Sequence, residues 1–489
     1  MDSALSLSVR TPRNAARTMS VIVAALSILV GGCGGGSSSG HPVLSGNTSV
    51  TLLASSTAND QLTQYTPKFT SLVLISQAGE TATLLSAPMN PEFIHLNGTA
   101  EPLATVSIPQ GVYTSATATL SAATFYSVNY NQPANSTYIS QFGGGDLPAS
   151  SITVTLPAPI TITGSSMALS LDLLVSQSAS FQSCDLGPFG SYSVTPTFTL
   201  TPITIASQPT NNTNGKMTGL EGLIASVDSS GFAFTVTSSD GLTWQVASGS
   251  STVFQGITAF ANLTKGMPVN MDVAIQSDGS LIATRVEVAD TNTSNLTVFN
   301  GPALTVDAFA PVLSSFENTG QGTLAWLSYN DFDEANATYK ISGEFTNLSS
   351  LPFVPIFTAN TSFAGQNTST TTHATTQPNG GSYLPATTIT LLPQTINGTV
   401  TAVGNDGDFT TYTISLASYD LVPNLAPEGG EVQILKNPST VVVYADSNTQ
   451  LLDTGAPPVG SMVRFRGLLL DDNGTLRMDC DQINPGVAE

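Results

Sequence analysis

Strict alternation of apolar residues with threonine or serine is the feature that most limits how this chain folds. It is clearest at residues 152–156, 160–163, 197–201 and 411–416. β-Branched residues with a period of two are typical of half-buried antiparallel strands, whose apolar side chains face the core while the hydroxyls face water. Apart from the N-terminal leader, no long segment has a helical period. The sequence therefore predicts an all-β protein.

The charge balance excludes one class of partner. The 489 residues include 12 Lys and Arg against 33 Asp and Glu, a net charge of −21, and charged residues make up only 9% of the chain. Soluble domains average about 25% charged residues, so Ser, Thr, Asn and Gln must solvate much of this surface. Nucleic acid is excluded as a partner, because binding its phosphates needs clustered Lys and Arg. At about 150 residues per domain, the length predicts several domains.

The N-terminus has the pattern of an export signal. Arg10, Arg13 and Arg17 precede an apolar run at residues 21–30, which is too short to span a bilayer that needs roughly 20 apolar residues. Residues 30–33, Val-Gly-Gly-Cys, resemble the lipobox of bacterial lipoproteins, although Leu is commoner than Val at its first position. The resemblance implies a signal peptide over residues 1–32 and a diacylglycerol on the sulfur of Cys33.

The residues after Cys33 fit a lipid anchor. Residues 33–46 begin with a Gly/Ser run, which behaves as a flexible tether, and several acyl chains hold a protein to a bilayer far better than one. Position 34 is Gly rather than Asp, so the resemblance to lipoproteins favours the outer membrane. We therefore expect a cell-envelope protein whose membrane partner is reached through Cys33.

Composition and an internal repeat divide the rest of the chain. Polar linkers are predicted at 208–215 and 290–295, so residues 47–206 form a first unit of the size of one β-sandwich. Gly222 and Gly398 open two copies of a repeat, each followed by an alternating strand and closed by a hairpin with Asp-Gly or Asn-Gly at its turn. Short strands in repeats of this length suit small barrels, because closure removes exposed sheet edges. The predicted domains are a sandwich at 47–206, a first barrel repeat at 217–290, a divergent barrel repeat at 296–394 and a third at 395–486.

Two resemblances support this division. Residues 217–290 and 395–486 are similar to a bacterial domain of unknown function that recurs in exported lipoproteins, through the opening Gly-x-Ile/Val-x-Ser/Ala-Val and the late Gly-x-x-Val. The N-terminal unit resembles another uncharacterised lipoprotein domain with an antiparallel prealbumin-like or Ig-like sandwich, through residues 96–98, 108–113 and 167–172. These resemblances imply fold and compartment, and they transfer no catalytic residue.

Candidate catalytic and metal-binding residues are few. His41 lies in the tether, His95 beside a predicted turn and His373 in a Thr-rich loop, and none has the spacing of a metal-binding pair. The Gly-x-Ser-x-Gly match at 36–40 lies in the tether, without the strand and helix that a nucleophile elbow needs. Cys184 and Cys480 remain in the exported chain, and whether they pair stays open. The sequence predicts no catalytic residue, no cofactor and no metal ion.

Two acidic clusters and three arginines could serve either the fold or a binding site. The clusters are most simply interpreted as solvated turns, with calcium binding or glycoside chemistry left open. Arg464 and Arg466 alternate with apolar residues, so both are predicted on the solvent face of one strand. All three arginines, including Arg477 on the partner strand, are predicted to pair on the polar face with Asp479 or Asp481. An anion-binding patch is the alternative. The clusters comprise Asp331, Asp333 and Glu334 in one, and Asp471, Asp472, Asn473, Asp479 and Asp481 in the other.

Function is therefore expected from compartment and architecture. The combination of anchor, all-β modules and no catalytic constellation predicts a non-enzymatic envelope protein with a structural, adhesive or ligand-presenting role. The partner, an envelope protein or a glycan, stays open. The first alternative is a glycan- or polymer-binding module, and the second is a hydrolase using the acidic clusters. The aromatic candidates for glycan contact are Tyr126, Tyr130, Tyr138 and Trp244, most of them also suited to a core or a turn.

Overall fold

The structure is a computed structural model with four described modules. It describes residues 44–57, 62–128, 142–182, 191–307, 312–316, 329–373, 383–417, 420, 422–423, 435–452 and 455–485. Nearly all regular structure in these ranges is strand, as the alternation predicts. The α-helical turn α1 spans Val175–Ser178, residues 422–423 are also α-helical, and 3₁₀ turns lie at Ile94–Leu96, Phe260–Asn262 and Leu348–Ser350. Within these ranges, no helix has the length and apolar character needed to cross a membrane.

The first module, called the sandwich, holds strands β1 to β12. One sheet has the order β12-β9-β1-β4, and a second has the order β3-β2-β5-β6, with β7 and β8 also pairing with β5. Strands β10 and β11 pair with each other as a separate two-stranded sheet. The sheets are antiparallel as predicted, except that β1 runs parallel to β9. The strands are β1 (Asn47–Ser56), β2 (Leu62–Ser76), β3 (Thr81–Leu85), β4 (Ala100–Pro109), β5 (Gly111–Val128), β6 (Phe142–Leu147), β7 (Ser150–Val154), β8 (Ile160–Ile162), β9 (Ser166–Leu173), β10 (Ala179–Gln182), β11 (Ser191–Val194) and β12 (Phe198–Ile203).

Two closed five-stranded barrels follow the same plan. The first barrel has the order β13-β14-β15-β17-β16, and the second has β25-β26-β27-β29-β28. The first barrel comprises β13 (Lys216–Asp228), β14 (Ala233–Thr237), β15 (Thr243–Gln255), β16 (Pro268–Ile275) and β17 (Leu281–Val288). The second comprises β25 (Gln394–Asp406), β26 (Phe409–Leu416), β27 (Thr440–Leu451), β28 (Met462–Asp472) and β29 (Thr475–Pro485).

The opening glycine of the repeat has a packing reason in both barrels. A Cβ at Gly222 would lie 2.5 Å from the carbonyl oxygen of Thr237, and one at Gly398 would lie 2.4 Å from that of Ser415. No side chain fits at that distance, so each barrel needs glycine where the first strand crosses the second. The first strand also breaks register just after this point in both barrels. The glycine that the two sequence repeats share therefore lies at the same position in both barrels, where the first strand packs closely against the second.

The segment between the barrels, called the middle sheet, differs from the barrel expected over 296–394. Its described strands form an open seven-stranded sheet with the order β21-β24-β22-β18-β19-β20-β23. It lacks the spacing of opening glycine and closing hairpin that folds each barrel on itself. Its strands are β18 (Thr297–Asp307), β19 (Val312–Phe316), β20 (Tyr329–Asp333), β21 (Thr338–Ile341), β22 (Asn367–Thr372), β23 (Leu384–Pro385) and β24 (Thr388–Leu391).

The modules share hydrophobic cores across their boundaries. One continuous cluster of buried apolar residues runs through the sandwich and the first barrel. Trp244 of the first barrel belongs to it, and its indole Nε1 donates to the carbonyl oxygen of Pro102 in the sandwich at 2.8 Å. Leu468 and Leu470 of β28 pack into the core of the middle sheet. Because a shared core cannot open without exposing apolar surface on both sides, these contacts fasten neighbouring modules together.

Candidate functional site

The turn at residues 97–99, between the first 3₁₀ turn and β4, is where three modules meet. Thr99 Oγ1 donates to the carbonyl oxygen of Thr218 in the first barrel at 2.7 Å. From the second barrel, Thr395 Oγ1 donates to the carbonyl oxygen of Asn97 at 3.0 Å, and Gln482 Nε2 donates to that of Gly98 at 3.1 Å. The sandwich is thus hydrogen-bonded to both barrels through one short turn.

A cavity of about 150 Å³ lies beside this turn. All four modules contribute to its walls, which combine ionisable groups, amides and aliphatic side chains. Pockets between domains are common ligand sites because several elements can aim side chains at one point. Its polar lining includes His95, Asn97 and Glu101 from the sandwich, Glu221 and Asp240 from the first barrel, Asn300 from the middle sheet and Arg466 from the second barrel.

Glu92 builds the 3₁₀ turn that carries His95. Its carboxylate is fully buried and accepts hydrogen bonds from the backbone N–H groups of Tyr65, Ile94 and His95 at 2.7, 2.9 and 2.9 Å. A buried carboxylate with this many donors fixes the path of the chain around it. The Glu92 N–H in turn donates to Asp240 Oδ2 at 3.1 Å, which ties the turn to the first barrel.

His95 is held between two carboxylates. Its Nδ1 lies 3.0 Å from Glu92 Oε2 and its Nε2 lies 3.3 Å from Glu101 Oε2, while 35% of the side chain stays accessible. Burial alone would lower the pKa of His95, but the charges and hydrogen bonds of Glu101 and Glu92 outweigh burial and raise the pKa well above 6.5. His95 is therefore an imidazolium at neutral pH, with both N–H groups engaged. The sequence placed it beside a turn, and nothing local pointed to its two partners.

Glu101 and Glu221 are carboxyl groups that hold protons unusually tightly. Burial raises the pKa of Glu101 to about 7, although His95 opposes the shift. Burial likewise raises the pKa of Glu221 to about 7, against the hydrogen bond from Asn270 Nδ2 at 3.0 Å. Asn300 Nδ2 also donates to Glu221, which joins the middle sheet to the first barrel. Near neutral pH the cavity therefore gains negative charge as the pH rises.

Several acceptors at the cavity lack a donor. Glu101 is only 3% exposed, yet its Oε1 has no hydrogen-bond partner among the described residues. In the same ranges, Oδ1 of Asn97 and Oδ1 of Asn300 are also buried without a partner. Buried polar atoms are satisfied in nearly all native proteins, so three unpaired acceptors on residues lining one cavity need an explanation.

Arg466 forms the second-barrel wall of the cavity. It is 5% exposed and donates through Nη1 to Glu344 Oε1 at 2.9 Å and also to Asp481. The predicted pairing with Asp481 is thus present, but the predicted solvent face is wrong, because the middle sheet and the turn at 97–99 cover it. Alternation fixes the side of a strand on which Arg466 lies, but it does not report what packs against that side.

A similar buried arginine occupies the first barrel. Arg285 is 6% exposed and donates to Asp272 Oδ1 at 2.9 Å and to Glu287 Oε2 at 3.0 Å. Glu287 Oε2 also accepts from the backbone N–H of Gly343 in the middle sheet at 2.9 Å. Buried charge therefore continues from one barrel, through the middle sheet, to the other.

Arg477 lies away from the cavity. Its Nε donates to Asp472 Oδ2 at 2.6 Å, and its guanidinium carbon lies 5.3 Å from the ring centroid of Phe353 and 5.5 Å from that of Tyr444. The predicted partners, Asp479 and Asp481, were wrong for this arginine. The hairpin brings Asp472 closer, and the aromatic rings stack on the guanidinium.

Three described members of the acidic clusters, Asp333, Asp471 and Asn473, take part in turns. Asp471 Oδ1 accepts from the Gly474 N–H at 2.7 Å, and Asn473 has φ +52° as the predicted hairpin requires. Asp333 Oδ1 accepts from the Ala335 N–H at 3.0 Å. The other described members have different partners: Asp472 pairs with Arg477, Asp481 pairs with Arg466, and the buried Glu334 accepts a hydrogen bond from the Tyr339 hydroxyl. Asp479 is also buried, and its pKa rises to about 7. Within the described ranges, no group of three or more His, Cys, Asp or Glu side chains is placed to hold a metal ion.

Other singled-out residues are core or lie beyond the described ranges. Cys480 is a free, buried thiol in the core of the second barrel. Trp244 is 4% exposed, which removes it as a glycan contact. His373 contacts Asp290 Oδ2 and the Ser294 carbonyl oxygen, at 3.0 and 2.9 Å. Residues 33–43, which include Cys33 and His41, lie outside the described residues, as do Tyr130, Tyr138 and Cys184. The side chains of Tyr126 and Asp331 are likewise not described.

Comparison with known proteins leaves the geometry as the guide to function. No protein-family model matches this chain, and no curated protein matches it.

Proposed function

We propose that this chain is a non-enzymatic, lipid-anchored protein of the bacterial cell envelope, held at the outer membrane through Cys33, and that it presents the junction cavity to a ligand. The observation that carries this proposal is that all four modules line one cavity. If the modules served only as a spacer between the lipid anchor and the rest of the envelope, they would not need to share a polar cavity. Cavities between domains are frequent binding sites.

The anchor rests on the N-terminal sequence. A basic segment, a short apolar run and residues 30–33 precede a Gly/Ser tether. Such a tether lets a large folded body sit off the bilayer while the acyl chains stay in it.

The chemistry of the site favours binding over catalysis. Both ring nitrogens of His95 contact carboxylates, so neither is available to take a proton from a nucleophile. Asp333 and Asp471, which were candidates for hydrolysis, accept backbone hydrogen bonds in turns. Binding needs only the placed charges and amides that line the cavity.

Lipid labelling tests the anchor. Cells that express the chain should incorporate labelled palmitate into it, and Cys33→Ser should abolish the label and release the protein from the membrane fraction. Ser37→Ala, in the tether, is the matched control and should keep the label. A wild-type chain that is exported without label, or label that persists in Cys33→Ser, would refute the proposal.

One observation favours glycan binding as a second candidate function. Phe232 is 58% exposed and has φ +50°, a left-handed conformation that bulky residues rarely adopt. A strained backbone that holds an aromatic ring in solvent is common at binding sites, and sugar rings stack on such faces. A glycan array should show saturable binding that Phe232→Ala removes and Tyr383→Ala, at an exposed aromatic elsewhere, does not. An array without signal would exclude this candidate.

A further inference from the structure

We infer that the junction cavity binds a small aliphatic primary amine as its ammonium cation. The inference deepens the ligand-presenting role proposed above and rests on it for its cellular setting. Three features of the lining carry it: its charge, its unpaired acceptors and its size.

The charge of the lining favours a cation. Glu101, Glu221 and Asp240 line the cavity together with the cations His95 and Arg466. Arg466 is already paired with Glu344 and Asp481, which bring one more negative charge than it carries. Glu92 and Glu101 share the single charge of the His95 imidazolium. Among the described residues, Glu221 and Asp240 form no ion pair, so the ionised carboxylates at the cavity outnumber the cations and an entering cation would reduce this excess.

The unpaired groups of the lining are all acceptors. They are Glu101 Oε1, Asn97 Oδ1 and Asn300 Oδ1. An ammonium group offers three donors and no acceptor, which matches this need. A carboxylate or phosphate would add acceptors and negative charge where both are already in excess. The same argument disfavours an anionic ligand at Arg466, whose charge is neutralised by its partners.

Size and apolar walls limit the rest of the ligand. The cavity has a volume of about 150 Å³, and Ile94, Leu392 and Pro393 supply aliphatic surface. An engineered apolar cavity of about 150 Å³ holds one benzene. A ligand of about five to eight non-hydrogen atoms, with one ammonium end and a short alkyl body, therefore fits.

Isothermal titration calorimetry on the full chain in a non-ionic detergent tests the inference. The probe is butylammonium, with butan-1-ol as the neutral isostere and butyrate as the anion of similar size. We expect saturable heat when butylammonium is titrated, and no saturable heat with butan-1-ol or butyrate. We also expect tighter binding at pH 8 than at pH 5.5, because Glu101 and Glu221 lose protons across this interval.

Variants link the heat to the cavity. Glu101→Gln should weaken butylammonium binding about tenfold or more, and Glu221→Gln, at a less buried position, gives a second variant if the first fails to fold. Asp479→Asn is the matched control, since it neutralises a buried carboxyl outside the lining and should leave affinity within about twofold. Equal binding of all probes, no binding, or unchanged affinity in both Gln variants would overturn the inference. A chain that still carries lipid but binds no butylammonium would leave the anchor standing.

Discussion

Single residues at the junction hold charge away from water. Arg466, Arg285 and Glu92 are each almost fully enclosed, and the partners of each come from more than one strand or turn. Sequence patterning located Arg466 on the polar side of its strand. It missed the burial because Glu344 lies 122 positions away in the chain, and a period of two reports only on the strand itself.

Loss of Arg466 should be costly. Arg466→Met removes the guanidinium and leaves Glu344 and Asp481 facing each other without a cation, so we expect a loss of about 3–5 kcal/mol in unfolding free energy, measured by urea denaturation. Arg477→Met is the control, because that pair is about a quarter exposed and its loss should cost about 1 kcal/mol. Equal losses for the two variants would contradict the buried network.

Asp479 should make stability depend on pH. Burial, with Asp446 and Asp481 nearby, raises its pKa from 3.8 to about 7. The folded state therefore binds a proton that the unfolded state releases, so unfolding free energy falls as pH rises from about 4 to about 7. Asp479→Asn should remove the part of this fall that Asp479 causes, while Glu101 and Glu221 keep their own contributions. Relative to wild type, the variant should therefore be more stable at pH 8 than at pH 5 by about 2 kcal/mol.

A second aspartate provides the control for this pH effect. Hydrogen bonds from Ser230 and from the Gly231 N–H lower the pKa of Asp228, so this group stays ionised throughout that interval. Asp228→Asn should therefore leave the pH slope between 5 and 8 unchanged. Chemical denaturation at several pH values measures both slopes, and parallel slopes for wild type and Asp479→Asn would contradict the assignment.

Among the features of this fold, the individual strands and hairpins were the easiest to predict from the sequence. Alternation located strands such as β12 and β26, and the Asn-Gly hairpin between β28 and β29 forms with the positive φ that it requires. The repeated glycines marked both barrels because barrel closure leaves no room for a Cβ. The middle sheet lacked such a signal, and its open order depends on pairings such as β18 with β22, which lie about 70 residues apart.

The turn at 97–99 offers a matched pair of glycine substitutions. Gly98 and Gly164 both have φ +78°, so alanine strains each backbone alike. A Cβ at Gly98 would lie 2.8 Å from Thr395 Oγ1, whereas one at Gly164 meets nothing within 4 Å. We expect Gly98→Ala to destabilise the protein by about 1–2 kcal/mol more than Gly164→Ala, in thermal or chemical unfolding. Equal effects would show that the contact between sandwich and second barrel is loose.

At the scale of the whole molecule, shared cores predict cooperative unfolding. The sandwich and first barrel have one continuous apolar cluster, and the middle sheet includes leucines of β28 in its own. Calorimetry should therefore show one major transition, and Arg466→Met should broaden it or split off the second barrel. Separate transitions in the wild-type protein would contradict this expectation. The sequence offered linkers at 208–215 and 290–295 but no sign that the units they join are packed together.

The hydrogen bond from Gln482 to the Gly98 carbonyl has a consequence for how the molecule comes into being. It joins positions 384 residues apart, so the wall that Arg466 supplies arrives only after the first barrel and the middle sheet have been synthesised. A nascent sandwich can form its own sheets early. The carbonyl oxygens of Asn97 and Gly98 receive their hydrogen bonds from Thr395 and Gln482 only after the second barrel has been synthesised. A messenger cut short before that barrel would yield a protein that carries strands, hairpins and the first barrel, but no chamber.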